Sequence, residues 1–97
     1  MKRFEMKEAV EAQDFADEGG QALHVCETTV KLGPAAGCCF SEVRRWAHLI
    51  DRDADRLAKT ARRLGVRVIK IGRPGARGQH VDLCGKPLEK AMKECER

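Results

Sequence analysis

The stretch from Trp46 to Gly65, WAHLIDRDADRLAKTARRLG, decides the fold. Its second part reads as a helix. Across residues 52–64, Leu57, Ala61 and Leu64 recur at helical spacing and make one apolar stripe. Asp51 or Asp53 is placed to cap the start, where acids also complement the helix dipole, and Gly65 is placed to end it. The first part is ambiguous. Val43, Trp46, Ala47 and Ile50 lie at helical spacing behind Ser41, while Trp46, His48 and Ile50 alternate as they would in a strand.

On the C-terminal side, VRVIKI at 66–71 is β-branched and predicts a largely buried strand. The loop GRPGARGQ follows at 72–79, then a short strand HVDLC at 80–84. A last helix begins at Gly85-Lys86-Pro87, with Leu88, Met92 and Cys95 facing inward. On the N-terminal side, residues 5–18 predict a helix with a weak stripe from Met6, Val10, Ala9 and Ala16, stopped by Gly19-Gly20. Residues 22–32 predict one strand with an irregularity at Glu27-Thr28, and residues 33–37 a loop. The expectation is a small single α/β (α+β) domain spanning 1–97, with a three- to four-stranded sheet covered by two to three helices.

Leu, Ile, Val and Phe together number 20 and tyrosine is absent, so the core is small and aliphatic. A homodimer is one way for such a chain to bury more apolar surface. No segment has the roughly 20 apolar residues of a membrane span, and the first residues lack the apolar middle of a signal peptide. The expectation is a cytoplasmic protein with no membrane partner. Five cysteines, an odd number with Cys38 and Cys39 adjacent, suit a reduced compartment better than a disulfide framework. Charge is uneven. Residues 1–20 carry three basic and six acidic side chains and form an acidic helix or arm, whereas residues 44–77 carry eleven basic and three acidic ones. A central basic block points to an anionic partner.

The motifs narrow the chemistry. Gly72, Gly75 and Gly78 have neither Walker nor dinucleotide-loop spacing, and no Lys-Ser/Thr follows. The two G-x-x-G units join strands rather than the helices of a KH fold. His24, Cys26, Cys38, Cys39, His80 and Cys84 could converge on a metal, but no C-x-x-C pair supports this, so buried cysteines acting as small apolar residues are expected, with no cofactor. Ser41 has no nucleophile elbow around it, and pairing of Cys26 or Cys84 with a histidine is open to chance. His80 and Asp82, two apart on a strand, share one face and make a usable acid–base pair, with His48 as a third candidate.

Trp46-Ala47-His48-Leu49, Arg63-Leu64-Gly65 and His80-Val81-Asp82-Leu83 resemble a family of short, uncharacterised bacterial and phage proteins with the pattern W-x-H-L, R-L-G and H-Y-D-L. The resemblance covers residues 46–96. It implies that 44–51 is a strand, that 44–96 is β-α-β-β-α, and that His48, His80 and Asp82 occupy the family's recurring polar positions. Val81 stands where the family has tyrosine, and residues 1–40 differ from the family's opening strand. The family brings no assigned activity.

Three functional expectations follow. The first is a phage-type basic protein binding nucleic acid or a nucleoprotein complex through phosphate contacts from Arg52, Arg56, Lys59, Arg63, Arg73 and Arg77. The second is a phage inhibitor of a host defence complex, with Glu5, Glu8, Glu11, Asp14, Asp17 and Glu18 mimicking nucleic-acid charge. The third, ranked behind the binding roles, is a small hydrolase-like enzyme using His48, His80 and Asp82.

Overall fold

The structure is a computed structural model that describes residues 1–27, 30–31, 42–43 and 45–95. The elements run β1 (Lys2–Phe4), α1 (Ala9–Asp17), β2 (Gln21–Cys26), β3 (Val30–Lys31), β4 (Glu42–Val43), β5 (Trp46–Asp51), α2 (Ala54–Leu64), β6 (His80–Leu83) and α3 (Gly85–Cys95). Four strands form a mixed sheet in the order β1-β2-β5-β6, with β1 parallel to β2 and the other pairs antiparallel. β3 and β4 form a separate antiparallel ribbon. This is the small α+β domain that the sequence predicts. The expected loop at 33–37, Cys38-Cys39 and Ser41 lie outside the described residues.

Period-two alternation divides the sheet into two unlike faces. Leu23 and Val25 of β2, Ala47 and Leu49 of β5, and Val81 and Leu83 of β6 all point to one side. There they pack with Leu57, Ala61 and Leu64 of α2 and Leu88 and Ala91 of α3. The other side has a smaller apolar cluster, in which Ala12 and Ala16 of α1 meet Phe4, Ala22 and Ile50. The remaining inward positions of that face carry histidines and an aspartate.

α2 forms as its sequence dictates. The Asp53 side chain accepts the Arg56 backbone N–H at 3.0 Å, and Gly65 ends the helix in the left-handed region at φ 100°, which glycine reaches without a Cβ clash. β5 settles the ambiguous segment as a strand, because its polar His48 and apolar Leu49 fall on opposite faces.

Four expectations need correction. Residues 66–71 are not a strand. The free edge of β6 is met by a single bridge, in which Gly72 and His80 exchange backbone hydrogen bonds of 2.8 and 3.1 Å. Without a ladder partner, Val66 buries, Ile69 and Ile71 rest against the core, and Val68 stays exposed. Residues 22–32 are not one strand either, since β2 ends at Cys26 and β3 pairs separately with β4. In α1 the buried stripe is Ala12 and Ala16, while Met6 and Val10 are exposed, because the small side chains let the helix approach the sheet closely. Cys84 is disulfide-bonded rather than a free thiol, whereas Cys26 and Cys95 lie outside disulfides. Residues 1–20, read from sequence as a helix or arm, supply β1 and α1 to the packed domain. No helix of the described residues is long and apolar enough to cross a membrane.

Candidate functional site

Strand register builds the site. Phe4, His24, His48 and Asp82 stand in one row across β1, β2, β5 and β6, and Ala22, Ile50 and His80 stand in the next. His48 therefore lies directly beside both His24 and Asp82, and His80 is its diagonal neighbour. α1 closes over the Ala22–Ile50 end of this face and leaves the histidine end open. A cleft of about 190 Å³ results, lined by Ala9, Gln13, His24, His48, Ile50, Arg73, Gly78 and His80.

His48, His80 and Asp82 meet, as the third functional expectation requires. His48 Nδ1 is 2.9 Å from Asp82 Oδ1, and His80 Nε2 is 3.6 Å from the same oxygen. The first separation is that of an ion pair. Yet neither His48 Nδ1 nor Asp82 Oδ1 meets hydrogen-bond geometry, and both atoms are buried without a hydrogen-bond partner. Burial pushes the Asp82 carboxyl up, but the His48 contact and the nearby His80 pull it down further, so it lies below its ordinary value. The His48 ring is held edge-on by Trp46 at 4.7 Å and by His80 at 4.4 Å between centroids.

Hydrogen bonds assign the other rings. His80 Nδ1 lies 2.8 Å from the Gly78 carbonyl, which only accepts, so Nδ1 carries a proton and Nε2 faces the cluster. His24 donates from Nε2 to the Met6 carbonyl at 2.9 Å, and its Nδ1 faces the Cys26 thiol at 3.7 Å. Both nitrogens of His24 are occupied, and its ring stacks beside His48 at 6.1 Å. Burial pushes the Cys26 thiol up, which keeps it neutral. Among the described residues, His48, His80 and Asp82 form the group able to hold a metal ion, with ligand atoms within 4.8 Å of one another.

The glycine-rich loop frames this site. A Cβ on Gly72 would sit 2.6 Å from Cε1 of His80, so only glycine lets the loop pass behind that ring. Arg73 follows at φ 53°, a left-handed conformation that is strained for a residue with a side chain, and it lines the cleft. Gln79, buried beneath the loop, accepts from the Gly75 N–H at 2.7 Å and donates to the Asp51 carbonyl at 2.8 Å.

The six basic residues expected to contact phosphate have different fates. Arg52 pairs with Asp17 at 2.9 Å, and Arg63 pairs with Glu94 of α3. Arg77 pairs with Asp14 and Asp17. Arg56 is bonded to the buried Asp51 at 2.6 and 2.7 Å. Lys59 and Arg73 have no carboxylate partner among the described residues. The groove along α2 is lined by Arg56, Lys59 and Arg63 but also by Asp53 and Asp55, so its charge is mixed. Of the acidic residues expected to mimic nucleic acid, Asp14 and Asp17 serve these internal pairs, Glu5 binds Arg3, and Glu8 accepts the Glu5 N–H.

The sequence offers His24 only within a Cys/His metal set and Gly72 only as part of a glycine loop, and it places neither beside His48 and Asp82. His24 had the signal of alternation with Leu23 and Val25, and the close approach of Gly72 to His80 had none. Compared with known proteins, the chain matches no family model, no curated protein and no solved structure.

Proposed function

We propose that the protein is a small hydrolase whose centre is His48, His80 and Asp82 and whose substrate carries a phosphate group. The observation behind this reading is that His48 and His80, which meet the Asp82 carboxylate, line a cleft together with Arg73. Two imidazoles beside a carboxylate activate water and move protons near neutral pH. A guanidinium without a carboxylate of its own suits a phosphate oxygen pair. Nucleic acid stays within this reading as one phosphodiester substrate. Duplex binding by α2 has less support, because Arg52, Arg56 and Arg63 already serve carboxylates of the chain.

The test is hydrolysis of p-nitrophenyl phosphate and bis(p-nitrophenyl) phosphate by the purified chain. His48→Ala, His80→Ala and Asp82→Ala should each lower kcat by roughly 10²- to 10⁴-fold. Arg73→Ala should act mainly on KM. Turnover that survives His80→Ala in a folded variant, or no turnover of either ester or of an oligonucleotide, would refute the reading.

A further inference from the structure

We infer that His48 Nδ1, His80 Nε2 and Asp82 Oδ1 are the protein ligands of one zinc-class divalent metal ion. This deepens the hydrolase reading and rests on it for the role of the ion, though not for its binding.

The first ground is the pair of orphaned atoms. His48 Nδ1 and Asp82 Oδ1 are buried, 2.9 Å apart and without hydrogen-bond partners. A carboxylate serving only to orient an imidazole would share a proton with it in line. At 2.9 Å the two atoms pair with each other but off the hydrogen-bond line, and a cation held between them would take a lone pair from each.

The second ground is the His80 ring. Its Nδ1–H is committed to the Gly78 carbonyl at 2.8 Å, which turns Nε2 toward the cluster. A ligating imidazole commonly takes this arrangement, donating its other N–H to a carbonyl that fixes tautomer and orientation. Gly72 behind His80 and Trp46 at the edge of His48 confine the two rings.

The third ground is distance. Zinc donors lie about 2.0–2.1 Å from the ion, so two at the tetrahedral angle stand about 3.3 Å apart. The separations of 2.9 and 3.6 Å from Asp82 Oδ1 bracket that value, and the group's span of up to 4.8 Å would close to about 4.2 Å or less, twice the donor distance, around an ion. Two imidazoles with one carboxylate favour zinc over magnesium or calcium, which prefer oxygen shells. His24 is excluded as a fourth ligand because the Met6 carbonyl and the Cys26 thiol occupy its nitrogens. An ion held there would leave a coordination position for a water, which it would activate toward a substrate that Arg73 could hold.

The experiment uses the full chain, stripped with chelator and titrated with Zn²⁺ against a chromophoric competitor, then with Co²⁺ as a spectroscopic probe. The expected result is one tight equivalent per chain, with visible Co²⁺ bands and no near-ultraviolet thiolate charge transfer. His80→Gln and Asp82→Ala, checked for folding by circular dichroism, should weaken binding by more than the roughly 10- to 100-fold that loss of a supporting hydrogen bond costs. Cys26→Ala should keep full stoichiometry. Absence of a stoichiometric site, thiolate charge transfer, or unchanged affinity in folded His80→Gln would overturn the inference. Stoichiometric metal without ester hydrolysis would sink the hydrolase reading alone. Hydrolysis by metal-free protein would overturn the role given to the ion in the reaction, while its binding is decided by the titration.

Discussion

Arg56 sits on the helix face that the sequence offers to phosphate, and its bonds give it a structural task whose size can be worked out. Nε and Nη2 donate to the two oxygens of Asp51 at 2.6 and 2.7 Å, and Nη2 also reaches the carbonyls of Gly19 and Gly20 at 2.9 and 3.3 Å. One guanidinium thus ties the start of α2 to the end of β5 and the turn after α1. The Asp51 side chain has no exposed surface, whereas that of Arg56 is 45% exposed. Removing one member of a buried ion pair costs about 3–5 kcal/mol. Two features lower that figure. Asp51 keeps its bonds from the Asp53 N–H and the Gln21 amide, both at 2.9 Å, and water can enter the space that Arg56 leaves. Arg56→Ala should therefore cost about 2–3 kcal/mol. In a domain of this size that lowers Tm by roughly 10–20 °C, at about 4–8 °C per kcal/mol. Urea denaturation followed by far-ultraviolet circular dichroism measures it, with the midpoint falling and the slope unchanged. Arg56→Lys keeps the charge but not the fork and should recover less than half of the loss. Lys59→Ala, on the same helix and without a carboxylate partner among the described residues, should stay within about 0.5 kcal/mol of the parent. If Arg56→Ala proves as mild as Lys59→Ala, the structural role is wrong and Arg56 is available to a ligand.

Other outcomes follow from single positions. Gly72→Ala places a Cβ 2.6 Å from the His80 ring and must move it, so Zn²⁺ affinity should fall about 10- to 100-fold while the fold survives; metal competition would show this. Burial pushes the Cys26 thiol up, so its iodoacetamide alkylation at pH 8 should be far slower in native than in urea-denatured protein, and equal rates would contradict the burial. Residues 67–70 lie in no ladder, so their amides should exchange with deuterium well before those of Ala47, Leu49 and Ile50 in β5.

Legibility in the sequence followed the range of the signal. α2 was readable because its stripe, cap and stop lie within fourteen residues of one another. The run VRVIKI was misread because β-branched residues favour extended backbone, while a strand also needs an edge to pair with, and that edge is reached only at Gly72. β1 escaped notice because three residues, two of them charged, carry almost no pattern. The stripe of α1 was misplaced because methionine and valine outweigh alanine on any hydropathy scale, although two alanines make the contact. In the site, the shared face of His80 and Asp82 was legible from period two alone. The arrival of His48 beside them depended on the β5–β6 register, which pairs His48 with Asp82 across 34 residues of chain. The basic face was legible as spacing, but its partners Asp17 and Glu94 come from other elements, so local charge counting overstated its free charge.

The two sheet faces also differ in what they spend on packing. Toward α2 and α3, the inward positions of the three longer strands hold leucine, valine or alanine, and the chain buries them without exception among these residues. Toward α1, the same strands place His24, His48, His80 and Asp82, none of which a nine-residue helix needs for support. The cost of this choice is concentrated there. The buried His48–Asp82 contact lies off the hydrogen-bond line, and Arg73 holds a left-handed backbone at about 1–3 kcal/mol. Against the roughly 5–15 kcal/mol that holds a typical domain together, that is a large sum for a protein with so small an aliphatic core. Apolar residues at His48 and Asp82 would remove the off-line contact and extend the α1 cluster. Arg73's strained backbone, the off-line His48–Asp82 contact and a guanidinium with no carboxylate among the described residues are what the proposed ion and substrate would draw on, and packing alone gives no reason for them.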